Sequence, residues 1–155
     1  MSGLFFDIDV DDLEVLGVIE TLSTKIKYPE PLMRQVGEIV YDAIADAFEN
    51  EREPGGSPWE KLKESTIKQR TQKGQTPIKK LRATGKGERA ISIDVKGDTV
   101  IIEYGKDDTG YMRFHRTGTK KMARREFMPS VRWIERSPLI RREIEKYINS
   151  IYRLR

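Results

Sequence analysis

The residues best suited by type to do chemistry lie between Tyr111 and Phe127, in the run Tyr-Met-Arg-Phe-His-Arg-Thr-Gly-Thr-Lys-Lys-Met-Ala-Arg-Arg-Glu-Phe. The run holds the only histidine, His115, and six cations: Arg113, Arg116, Lys120, Lys121, Arg124 and Arg125. Tyr111, Phe114 and Phe127 are interleaved with them. Beside Asp107, Asp108 or Glu126, His115 could serve as a general base. A lone histidine between Phe114 and Arg116 reads more readily as a packing or hydrogen-bonding residue. The cations could contact phosphate, with affinity supplied by counterion release. The plainer alternatives are a solvated loop or one that salt-bridges to an acidic neighbour. Trp59, after Pro58, is either an anchor over the core or an interface anchor of the kind enriched in binding hot spots.

Other constellations fall away. Asp7, Asp9 and Asp11 could hold a divalent cation, but the glycine and distal glutamate of a calcium loop are missing, and a solvated strand face is the simpler reading. Gly85-Lys86-Gly87 evokes a phosphate-cradling loop, which would need a glycine where Lys80 stands. No serine sits in a nucleophile elbow. The absence of cysteine excludes disulfides, thiolate chemistry and Cys-ligated zinc. The expectation is a chain with no catalytic, metal or cofactor-binding residues, not an enzyme.

The 155 residues suffice for one domain with a real core. Apolar residues make up 37% and charged residues 35%, which suits a wet monomer or a subunit buried among partners. No run approaches the ~20 apolar residues of a membrane span, and no export signal opens the chain. Synthesis in the cytoplasm without export, and no membrane contact, are expected. Charge is divided: residues 1–60 carry 14 acidic and 4 basic side chains, and residues 61–155 carry 11 acidic and 25 basic. Opposite potentials on different surfaces suit head-to-tail packing of identical subunits. Neutralisation within one monomer is the alternative.

The elements that must position these residues follow from periodicity. Phe6, Ile8 and Val10 alternate with aspartates, predicting a short strand, and Asp11 or Asp12 caps a helix running to about Lys27. Pro31 opens a helix reaching about Asn50, with Leu32, Val36, Ile39, Val40, Ala43, Ala47 and Phe48 on one face and Gly37 marking a close helix contact. A loop covers 51–58 and a short helix Trp59–Gln69. Residues 71–76 are polar, and Pro77–Gly87 is turn or short helix. Ala90–Val95 and Thr99–Tyr104 alternate as two strands joined by Lys96-Gly97-Asp98. Tyr111–Arg116 allows one helical turn, Phe127–Ile134 reads as a strand or extended segment, and Ser137-Pro138 starts a helix to about Tyr152. The fold class is α+β: a small antiparallel or mixed β-sheet packed by a long helix from the N-terminal half and a C-terminal helix. One domain, 1–155, is expected, with mobile loops near 51–58, 71–80, 105–110 and 117–126.

Several landmarks occur in a recognisable order. Pro31-Leu32-Met33-Arg34-Gln35-Val36-Gly37 is followed by Phe48 and a Pro-Gly-Gly loop, then by Gly56-Ser57-Pro58-Trp59-Glu60-Lys61-Leu62 with Thr66 and Lys68. Leu81-Arg82-Ala83-Thr84-Gly85 leads into Ala90-Ile91-Ser92-Ile93, and Val100 to Gly105 ends in glycine. Tyr111 to Thr119 and Met122 to Met128 close the series. Over roughly residues 30 to 130 the chain resembles the phage virion morphogenesis family, the tail-completion or neck proteins of Mu-like and P2-like tailed phages. It departs from that pattern where Arg125-Glu126 replaces a proline after the arginine and where Gly87 replaces an apolar residue.

The resemblance implies a non-enzymatic virion protein at the head–tail junction, completing the tail and joining it to the head. Self-assembly into a ring of about six copies is implied by analogy with the tail's symmetry. Its implied partners are other neck, head-completion and tail-tube or tail-terminator proteins, with non-specific contact to packaged DNA. The contact residues expected are Trp59, Tyr111, Arg113, His115, Arg116, Lys120, Lys121, Arg124, Arg125 and Phe127. The competing expectation is a nucleic-acid-binding module using the basic 113–125 loop.

Overall fold

The computed structural model describes residues 29–104 and 110–153. The strand expected at Phe6–Val10, the helix expected after Asp11 and the loop residues 105–109 lie outside them. Eight elements follow in order: helices α1 (Glu30–Asn50), α2 (Glu64–Gln72) and α3 (Lys86–Arg89), strands β1 (Ser92–Lys96) and β2 (Thr99–Glu103), then helices α4 (Met112–Thr117), α5 (Val131–Arg136) and α6 (Pro138–Arg153). This is the expected α+β class, with a two-stranded antiparallel sheet and a C-terminal helix both packed on one long helix.

Helix α1 forms where the apolar spacing demands it. Leu32, Val40, Ile44, Ala47 and Phe48 are buried on one face, and Pro31 sits in the first turn, where it displaces no helical hydrogen bond. Strands β1 and β2 pair from Ser92↔Glu103 to Lys96↔Thr99. That register puts Ile93 opposite Ile102 and Val95 opposite Val100 on one face, turned towards α1. The hairpin turns at Gly97, whose φ of +62° is open to glycine at no steric cost. A lone hairpin is marginal in water, and α1 supplies its cover. Gly37 makes the fit close: a Cβ there would stand 3.2 Å from Ile93 Cγ2. The expected close contact exists, and its partner is the hairpin rather than another helix. Helix α6 packs along α1 through Ile140, with Ile144 beside it, leaving Arg141, Arg142 and Lys146 in solvent.

Two element boundaries differ from the sequence reading. The helix expected from Trp59 begins only at Glu64. Competing bonds hold the preceding chain extended: Trp59 N donates to Glu51 O at 2.7 Å, and the carbonyls of Glu60 and Lys61 accept from the Arg125 guanidinium. The segment expected to be extended from Phe127 to Ile134 turns helical at Val131. There the Ser130 hydroxyl accepts from Trp133 N at 3.1 Å and caps α5.

Candidate functional site

The basic segment is built on an aromatic foundation. Phe48, at the end of α1, meets Trp59 edge-on at 5.7 Å between centroids and Phe127 at 5.4 Å; Phe127 in turn meets Tyr104 edge-on at 5.4 Å. Trp59 Nε1 donates to Glu126 O at 2.8 Å. One buried indole therefore ties residue 59 to residue 126 and satisfies its only polar group. Trp59 and Phe127 are core residues, 3% and 0% exposed. Their part in any interface is to hold its base.

Helix α4 rises from this floor on Met112, which is fully buried. Met112 also explains Gly87: a Cβ at position 87 would lie 2.3 Å from the Met112 sulfur. The thioether occupies the space that an apolar side chain at 87 would need. Gly118, at φ +74°, ends α4, and a Cβ there would stand 3.1 Å from the Arg124 nitrogen. The chain then closes a tight turn in which Thr119 and Met122 exchange main-chain hydrogen bonds of 2.9 and 3.2 Å. Lys120 and Lys121 occupy its tip, both exposed. The return strand is pinned by Arg125 N donating to His115 O at 2.7 Å.

The six cations divide into two sets. Arg116 donates to Glu126 at 2.9 Å and to the Tyr104 hydroxyl at 2.8 Å. Arg124 bridges Glu53 at 3.1 Å and Glu126 at 3.3 Å. Arg125, only 8% exposed, is spent on the carbonyls of Glu60 and Lys61. These three are internal fasteners. Arg113, Lys120 and Lys121 pair with no carboxylate among the described residues; Arg113 lies 4.6 Å over the ring of its neighbour Phe114. Tyr111 and Phe114 are each 41% exposed beside them.

His115 is half-buried, with the Tyr111 ring edge-on at 5.8 Å. Its Nδ1 is buried without a hydrogen-bond partner. Burial, then the positive charges of Arg125 and Arg70, push its pKa below the ordinary 6.5. Glu126, one of the carboxylates that could have oriented it, is instead engaged by Arg116, Arg124 and the Met128 amide. The arrangement favours a neutral packing imidazole.

Sequence reasoning did not find a second basic cluster. Glu49 and Glu51 crowd the C-terminal end of α1, where the helix dipole is unfavourable to acids. Lys79 pairs with Glu49 at 2.7 Å, Lys80 with Glu51 at 2.9 Å, and Arg82 with both Glu49 and Glu88. Lys79 and Arg82 hold the Glu49 carboxyl down to about 2. The signal was present as acids at 49, 51 and 53 and bases at 79, 80 and 82. Part of the charge division is thus neutralised within the monomer, since Glu49, Glu51 and Glu53 all take partners from the basic half.

Among the described residues no helix is long and apolar enough to cross a membrane. The phage virion morphogenesis family model matches residues 10–152, beyond both ends of the region whose landmarks carry the resemblance. No curated protein and no solved structure matches the chain significantly.

Proposed function

Because the chain belongs to the phage virion morphogenesis family and is a virion structural protein, we propose that it completes the tail and joins it to the head. It does so as a closed ring at the neck, about six copies in all. The observation that supports the assembly reading is the set Arg113, Lys120 and Lys121, displayed on a hydrogen-bonded turn and one helix with no carboxylate partner among the described residues. An acidic face on a neighbouring neck, head-completion, tail-tube or tail-terminator protein would pair with them. Identical subunits in a ring meet through two different surfaces, and rotation closes the circle. The role is non-enzymatic, and its place is the head–tail junction of the virion.

Electron microscopy of the assembled virion, or of a tail–neck subcomplex, tests this. A closed ring of this chain at the junction is the expected result. Its absence from mature particles would overturn the reading.

The same three cations support a second reading, contact with packaged DNA. Three phosphate contacts predict a shallow salt slope, about −2.7 in log K against log salt. Duplex binding with that slope would favour a DNA-facing turn. Salt-resistant binding to a neck component would favour the protein neighbour.

A further inference from the structure

Loop 51–58 separates the basic segment from a groove on its other side. Glu53 holds Arg124 on the first side. On the second, Gly55 lies against the Trp133 ring so closely that a Cβ would stand 2.7 Å from Cδ1. There an open groove of about 380 Å³ is lined by Pro54, Trp133 and Leu139, with Arg132 and Arg136 on its wall. Leu139 is 56% exposed and adjacent Val131 49% exposed, an apolar surface that nothing in the described chain covers. Arg132 and Arg136 have no carboxylate partner among the described residues.

The geometry points to an occupant: the segment Phe5–Asp12 of a second copy of this chain. In that segment Phe6, Ile8 and Val10 alternate with Asp7, Asp9 and Asp11. The alternation of residue types would let such a segment, if extended, offer apolar side chains to Trp133 and Leu139 and carboxylates to Arg132 and Arg136. The choice of a neighbour over the same chain comes from the ring reading. The groove lies just past the C-terminal end of α1, whereas residues 1–28 join the fold at its N-terminal end. The 21 residues of α1 separate the two ends by about 31 Å, a distance that the residues between Ile8 and Pro29 could also span within one chain, so the linking experiment has to separate the two. In a head-to-tail contact the N-terminal end of one copy faces the groove end of the next. This inference rests on the ring reading and names its contact.

The absence of cysteine makes the test clean. Ile8→Cys in one tagged chain and Leu139→Cys in a differently tagged full-length chain are mixed and oxidised. The expected product is the mixed disulfide, in excess over either homodimer. Arg132→Glu with Arg136→Glu in the second chain should cut its yield on the order of tenfold, and Asp7→Arg with Asp9→Arg in the first should restore it. Three results would overturn the inference: no 8–139 link, a link formed only within a chain carrying both cysteines, or a yield indifferent to the charge reversals. Sedimentation of the unmodified chain separates the two failures. Oligomers without the 8–139 link sink the groove contact alone; a chain that stays monomeric and forms no ring on particles sinks the assembly reading with it.

Discussion

Two basic regions of this molecule have similar compositions and different fates. At the end of α1, Lys79, Lys80 and Arg82 are consumed by Glu49, Glu51 and Glu88. At the turn tip, Lys120 and Lys121 meet no carboxylate among the described residues. The first region corrects an electrostatic problem that the fold itself creates, acids at the wrong end of a helix dipole. The second corrects nothing inside the described chain. A cation's role is therefore set by whether the fold brings it a partner, and substitutions in the two regions should separate stability from assembly.

The largest effect should come from the floor beneath the turn. Trp59→Ala removes the indole between Phe48 and the Glu126 carbonyl and should cost about 3–5 kcal/mol, read as a fall in the urea midpoint, with the display of the turn lost too. Gly87→Ala should cost about 1–3 kcal/mol by overpacking Met112; Met112→Ala in the same chain should relieve the clash, at the expense of its own cavity, so that the two effects are non-additive in calorimetry. Arg82→Ala should cost about 1–2 kcal/mol, since it strips charged hydrogen bonds from the half-buried Glu88.

His115 contributes a pH dependence. Its folded pKa lies below 6.5, so as pH falls through 6.5 the unfolded chain takes up a proton that the folded chain resists. Stability should fall over that window and level off below the folded pKa. His115→Gln should flatten the slope in thermal melts between pH 7.5 and 5.5. The smallest effect on stability, within about 0.5 kcal/mol, is expected for Arg113→Ala, Lys120→Ala and Lys121→Ala combined. That variant should melt like the parent yet fail to incorporate into particles. If it melted early, the contrast between the two regions would be lost.

The sequence was most legible where one periodicity ruled. The apolar stripe of α1, the hairpin alternation and the Ser137-Pro138 start of α6 each locate an element to within a few residues, because local spacing and tertiary burial agree there. It was least legible where distant groups competed for the backbone. Nothing near Trp59 announces that Glu51 will claim its amide or that Arg125 will take the next carbonyls. The basic segment could be located, but its division into fasteners and free charges could not. That division depends on Glu53 and Glu60, which folding brings in from far along the chain, and on Tyr104, 12 residues before Arg116.

The Trp59–Glu126 bond spans 67 residues and the Glu53–Arg124 pair 71. Closing loops of that length costs chain entropy before the contacts reward it, as does docking α1 on the hairpin, where Gly37 meets Ile93. The turn bearing Lys120 and Lys121 stands on those long-range closures. During synthesis, then, the helix and hairpin are complete in sequence before the residues that close this turn have been added, and the turn can take its shape only once Glu126 has reached Trp59.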